Sequence, residues 1–285
     1  MHAAVLDFTK VFDRVPHALL MEKLSKIETI DEYLLGWAHN FLLNKPQCVI
    51  LNGKMSKNLP VTLGVPQGSV FGPVLFQVFI NDLPEEVDCQ AALFADDNLM
   101  YQTIKRSHDT LKFQENLTAF SKWVDKWRMD FSVKKSKILL FNSKGELPHY
   151  SLHDHEQEIV EEVNYLGVII QSDMKFTAQI HRKLMTANQQ LSIIKRALYW
   201  APTNAKLLAY KTLCLPHLEH AAAVWDPSSW KNISDIEQLQ DHAVRIIAGI
   251  KGRDGVEDAK TRLGLIPLHK KKERPAVETF DAHSC

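Results

Sequence analysis

The sequence predicts an α/β protein with a mainly antiparallel sheet, followed by a separate helical domain. Three observations predict it. Short apolar runs such as Ala3-Ala4-Val5-Leu6 and the pair flanking Asp96-Asp97 have strand character, and the second pair reads as a hairpin. Longer stretches carry apolar residues at helical spacing, most clearly Phe113, Leu117, Phe120, Val124 and Trp127. Finally, no acidic residue lies between Asp173 and Glu219, a stretch that holds Lys175, Arg182, Lys183, Lys195, Arg196, Lys206 and Lys211.

A chain of 285 residues with 45% hydrophobic and 24% charged residues can bury a large core, and two domains are expected. The 34 basic residues balance the 34 acidic ones, so only local charge can point to a polyanionic partner. Cys48, Cys89, Cys214 and Cys285 are far apart and lack metal-ligand spacing, which argues for a reducing, intracellular setting, nucleus or cytoplasm. No apolar run reaches the length of a membrane span, so no membrane partner is expected.

In chain order, Ala3 to Phe8 is an apolar strand delivering Asp7 at its end, and Pro16 to Ile27 has helical spacing. Asp31 is an N-cap for a helix ending near Leu43, and Asn52-Gly53 marks a tight hairpin turn. The loop Gly64-Val65-Pro66-Gln67-Gly68-Ser69 runs into an apolar helix, Val70 to Ile80, with Gly64, Gly68 and Gly72 permitting close backbone approach. The 113–127 stripe reads as core packing in preference to a nucleobase platform. Lys137 to Phe141 reads as a strand, and the acidic stretch Asp154 to Glu162 as an exposed hairpin. Leu184, Ala187, Leu191, Ile194 and Leu198 form a further helical stripe, and Ile233 to Gly249 another. Composition therefore places domains at 1–172 and 173–252, with a polar tail, 253–285, expected to be partly disordered.

Adjacent carboxylates repel, and a fold that gathers Asp96, Asp97 and Asp7 calls for a hard divalent cation with oxygen ligands. The alternative is a polar turn closing an ordinary hairpin. The acid-free basic segment reads as a nucleic-acid contact, with a solvated helix face as the alternative.

Leu6-Asp7-Phe8-Thr9-Lys10-Val11-Phe12-Asp13, Gly64-Val65-Pro66-Gln67-Gly68-Ser69-Val70-Phe71-Gly72-Pro73 and Phe94-Ala95-Asp96-Asp97 resemble polymerase motifs A, B and C. Their wording is similar to that of reverse transcriptases from non-LTR (LINE-type) retrotransposons. The stretch from Trp123 through Lys135 to Phe141 resembles motif D, and Tyr165-Leu166-Gly167 resembles the primer-grip motif E. Leu207 to Leu213 and Ala223 to Pro227 resemble the region after the palm in these elements.

The resemblance implies a polymerase palm followed by a thumb-like domain, and RNA-directed DNA synthesis on an RNA template from a DNA primer and dNTPs. It implies Mg²⁺, replaceable by Mn²⁺, bound by Asp7 and Asp96 with Asp97 in a weaker role, the Phe8 carbonyl completing a metal shell. Phe12 matches the steric gate against a ribose 2′-hydroxyl, its alternative being core packing. Gln67 and Gly68 would line the nascent base pair, and Lys135 would protonate pyrophosphate, its alternative being a solvated charge. Tyr165, Leu166 and Gly167 would hold the primer, and Arg182, Lys183, Lys195 and Arg196 the nucleic acid. Asp13 is assigned to local structure. Phe71 and Asn98 depart from the family wording. The basic fingers region and the endonuclease that precede motif A in family members lie outside these 285 residues, so weak or absent polymerisation by the chain alone is expected. A retrotransposon remnant that binds nucleic acid without polymerising is the alternative.

Overall fold

A computed structural model describes residues 1–43, 46–143, 147–227, 229–266 and 268. Of the tail expected over 253–285, the part from residue 269 onward, with Cys285, lies outside the described residues. The chain divides into two compact units between Leu166 and Gly167.

The first unit is built on a five-stranded sheet. Its strands are β1 (His2–Asp7), β2 (Gln90–Phe94), β3 (Asp97–Gln102), β4 (Lys137–Leu140) and β5 (Ile159–Val160), in the order β5-β4-β1-β3-β2. All neighbours are antiparallel except β5 on β4. β1 is central and buried along almost its whole length, which explains its unbroken apolar run.

Helices α1 (Val11–Arg14), α2 (His17–Ser25), α3 (Glu32–Leu42), α4 (Phe71–Ile80) and α5 (Ser107–Lys126) complete this unit. Asp31 caps α3 as expected, its carboxylate accepting the Leu34 N–H at 2.7 Å. All five residues of the 113–127 stripe are buried, in one core with Leu6, Phe8 and Phe76. That stripe is core, and its aromatic members offer no surface to a base.

Asn52 and Gly53 take φ of 50° and 75°, the left-handed pair that a two-residue hairpin turn requires, between Ile50–Leu51 and Lys54–Met55. The acidic hairpin expected over Asp154–Glu162 is corrected. Its turn falls on His153-Asp154 (φ 45° and 59°), pairing Ser151–Leu152 with His155–Glu156. Ile159 and Val160 join the main sheet instead, because two β-branched apolar side chains gain more from a half-buried edge beside β4 than from solvent.

The second unit begins with β6 (Val168–Gln171) and continues with α6 (Thr177–Ala197), α7 (Thr203–Ala209), a π-helical turn over Tyr210–Cys214, α8 (Leu215–Glu219), α9 (Trp230–Ala248) and α10 (Val256–Leu263). The structural division precedes Asp173, where composition changes, because β6 is tied to α6. Gln179 Oε1 accepts the Ile169 N–H at 3.0 Å, and Gln171 Oε1 accepts the Ala178 N–H at 2.9 Å. Ala187, Leu191 and Ile194 of α6 are fully buried beside Ala243, Val244 and Ile247 of α9, as the apolar spacing predicts. Lys260 of α10 is buried between Asp241, at 2.5 Å, and Glu257, at 2.7 Å, which fastens α10 to α9. No described helix is long and apolar enough to cross a membrane.

Candidate active site

The sheet register pairs two of the sequence-predicted carboxylates, and the third lies in the adjoining turn. Asp7, the last residue of β1, pairs directly with Asp97, the first of β3. Directly opposed residues on antiparallel strands project to the same face with Cβ atoms about 5 Å apart. Asp96 lies in the two-residue turn between β2 and β3, whose other member, Ala95, takes a left-handed φ of 51°. Non-glycine residues adopt that region at a cost of about 1–2 kcal/mol, so the tip of the hairpin is strained.

Main-chain contacts fix that tip. The Asp96 carbonyl accepts the Phe8 N–H at 3.5 Å and the Nδ2 amide of fully buried Asn98 at 3.3 Å. Asn98, a departure from the family wording, therefore anchors the carboxylate turn. The Phe8 ring is buried against Phe120 and Trp123, leaving only its main chain beside the site.

The electrostatics are those of a crowded anionic site. Burial pushes the Asp97 carboxyl above the usual range, and the charges of Asp96 and then Asp7 add to it. Lys135 Nζ stands 3.2 Å from Asp7 Oδ2, an ion pair whose alignment leaves that buried oxygen without a hydrogen bond. The lysine of the motif-D-like stretch thus reaches the carboxylate of the motif-A-like one. Burial raises the Tyr165 phenol as well, and the charge of Asp97 contributes, which puts the tyrosine of the expected primer grip in electrostatic range of Asp97. Leu166 and Gly167 both have left-handed backbone, φ 49° and 77°.

The glycine-rich loop is held against the chain after motif A. The Val65 N–H donates to the Phe12 carbonyl at 2.6 Å and the Gly64 N–H to the Val15 carbonyl at 2.8 Å, while His17 Nε2 meets the Gly64 carbonyl at 2.6 Å. A Cβ at Gly64 would stand 2.9 Å from the Asp13 backbone. Gln67 Nε2 donates to Asp13 Oδ1 at 2.7 Å, so Asp13 positions Gln67. At Gly68 no atom lies within 4 Å of where a Cβ would stand, and its φ of 79° is what requires glycine. Phe12 is half-buried with its ring 4.9 Å from that of Phe76.

Gly72 has a packing reason. A Cβ there would lie 2.5 Å from the Pro66 carbonyl, whose oxygen also accepts the Ser69 hydroxyl at 2.7 Å. Gly72→Ala should therefore shift the Pro66–Ser69 loop and lower stability by about 1–3 kcal/mol, read from the urea midpoint. An unchanged midpoint would show that the loop yields freely.

The four basic residues expected to contact nucleic acid all lie on α6 but do not form one cluster. Positions 182 and 196 share a face, separated by roughly 21 Å at 1.5 Å per residue. Lys183 approaches His220, and Lys195 lies close enough to His242, with Arg245, to lower its pKa after the larger effect of burial. His220 and the buried Lys23 were not singled out from sequence; neither lies in a recognisable motif.

Residues 1–170 match the family of reverse transcriptases (RNA-dependent DNA polymerases). The chain belongs to the reverse transcriptase family. Relatives include the RNA-directed DNA polymerase from mobile element jockey of Drosophila melanogaster, 29% identical over 276 residues, covering 90% of this chain and 30% of the relative. Another is the probable RNA-directed DNA polymerase from transposon X-element of the same fly, 26% identical over 259 residues, covering 86% of this chain and 28% of the relative. These transposon relatives agree with the LINE-type, non-LTR reverse transcriptase reading of the motifs. The chain spans about three tenths of the length of these curated relatives. Among solved structures, apo telomerase from Candida tropicalis has a TM-score of 0.45 and 14% identity, covering 98% of this chain and 52% of that one.

Proposed function

We propose that this reverse transcriptase chain catalyses RNA-directed DNA synthesis, in which a primer 3′-hydroxyl attacks the α-phosphate of a dNTP and pyrophosphate leaves. The observation that carries this reading is the direct pairing of Asp7 with Asp97, with Asp96 in the adjoining turn. In this reading residues 1–172 are the palm and 173–252 a thumb-like domain.

The donor set fits a hard divalent ion. It consists of carboxylates only, it is self-repelling, and the ammonium of Lys135 stands beside a buried Asp7 oxygen that lacks a hydrogen bond. Among the described residues no three His, Cys, Asp or Glu side chains are gathered as a metal cage. Mg²⁺ needs none, because it binds through one or two carboxylates together with substrate phosphates and water. Asp7, Asp96 and Asp97 would hold two Mg²⁺ or Mn²⁺ ions, which when bound supply an acidified hydroxyl and charge neutralisation on the phosphates.

The chain's own residues do the rest. Lys135 Nζ carries a proton beside Asp7 and can give it to the departing pyrophosphate. Gln67, held by Asp13, and the open backbone of Gly68 line the nascent base pair. The Phe12 ring, braced by Phe76, excludes a ribose 2′-hydroxyl. Tyr165, Leu166 and Gly167 orient the primer end, and Arg182, Lys183, Lys195 and Arg196 bind the RNA–DNA duplex through its phosphates.

A second reading, nucleic-acid binding without polymerisation, needs only the basic residues carried by α6, Arg182, Lys183, Lys195 and Arg196. Extension of oligo(dT) on poly(rA) with Mg²⁺ separates the two. Weak extension that disappears in Asp96→Asn is expected of the chain alone, and salt-sensitive duplex retention with no extension would favour the second reading.

A further inference from the structure

One polar cluster of the second unit plays no part in the carboxylate site. Gly167 is exposed, and a Cβ on it would stand 3.4 Å from His220 Cε1 and 3.9 Å from its Nε2. Glycine therefore leaves that edge of the imidazole uncovered. At the other ring nitrogen, Lys183 Nζ lies 3.4 Å from His220 Nδ1. The main chain of His220 is pinned: its N–H donates to the Pro216 carbonyl at 3.0 Å, and its carbonyl accepts the indole N–H of buried Trp225 at 2.8 Å.

An ammonium has only donors, so in the tautomer that pairs with Lys183 the Nδ1 of His220 accepts and Nε2 carries the ring N–H. Nε2 lies 3.9 Å from where a Cβ at position 167 would stand, with no side chain there to cover it. Burial holds the Lys183 ammonium below its usual pKa, and neighbouring Arg182 adds to the effect, with no carboxylate among the causes. A half-buried cation in that condition is stabilised by an anion arriving from outside. Phosphate oxygens are acceptors only and suit an ammonium paired with an imidazole N–H.

We infer that Gly167, Lys183 and His220 form a phosphodiester-binding site that takes one backbone phosphate of the bound nucleic acid. This rests on the nucleic-acid reading above and extends it to His220, which lies beyond the family-matched residues. His220 contributes a ring N–H donor and Lys183 a charge, so their removal has different signatures.

Fluorescence anisotropy of a labelled DNA primer on an RNA template, measured over a range of salt, tests the site. Lys183→Met and His220→Ala should each weaken binding roughly tenfold at moderate salt. Lys183→Met should also flatten the slope of log affinity against log salt by about one, while His220→Ala leaves the slope unchanged. His220→Gln, which keeps an N–H donor, should recover part of the loss and carries the test if the alanine variant folds poorly. Native affinity in both Lys183→Met and His220→Gln would overturn the site and leave the polymerase reading standing. Absence of salt-dependent duplex binding by the native protein would overturn both.

Discussion

Asp7→Asn is expected to reduce primer extension by about a thousandfold or more while leaving the melting temperature unchanged or raised. Divalent ions in phosphoryl transfer contribute several kcal/mol of transition-state stabilisation, and about 4 kcal/mol corresponds to a thousandfold in rate. The native arrangement opposes like charges directly across two strands, which costs stability. The asparagine variant removes that repulsion and loses only an ion pair to Lys135, whose side chain is 73% exposed. A function-bearing site is thus expected to be a stability liability. The sign for Asp97 follows. Its carboxyl is raised in the folded protein, so this group's contribution to stability declines as pH rises from the unfolded carboxylate range through the folded pKa. In Asp7→Asn that decline should shrink, as an NMR titration of the Asp97 carboxyl would show. Unaltered extension in Asp7→Asn would remove Asp7 from the chemistry altogether.

Lys23→Ala is expected to destabilise the first unit by about 3–5 kcal/mol, the loss found when one partner of a buried pair is removed. The Lys23 side chain is only 7% exposed. Its Nζ donates to the Phe79 carbonyl and to Asp82, each at 2.5 Å, and lies 3.7 Å from the Trp127 ring centroid and 4.8 Å from those of Phe79 and Trp123. Asp82 also accepts the Trp123 indole N–H at 3.1 Å. One ammonium thus ties the C-terminal end of α4, where carbonyls lack helical partners, to the aromatic face of α5. Burial still holds its pKa below the ordinary lysine value despite Asp82. Lys23→Met separates volume from charge. It keeps the rings packed but strips Asp82 and the Phe79 carbonyl of a donor, at about 1–3 kcal/mol. Equal urea midpoints for the native protein and the alanine variant would show that the cage carries no net stability.

Sequence alone determined the features that depend on near neighbours along the chain. The 113–127 stripe, the α6 stripe, the Asp31 cap and the Asn52-Gly53 turn were legible because helical periodicity, capping and left-handed turns each act within a few residues. The ordered motifs likewise named Asp7, Asp96, Asp97, Gln67 and Lys135 without any knowledge of their spacing in three dimensions. Where local signals competed, they misled. Ile159 and Val160 were assigned to an acidic hairpin because their neighbours are charged, whereas an open edge beside β4 decided their place.

Tertiary structure alone decided what each residue faces. Only the register of β1 against β3 sets Asp97 directly across from Asp7, since a slip of one residue would turn every side chain to the other face. Lys23 among three aromatic rings, the Pro66 carbonyl over Gly72, and His220 beside Gly167 all join residues about six to a hundred positions apart. A linear sequence carries no signal for such contacts, because their energy comes from burial and charge pairing that exist only once the chain has folded.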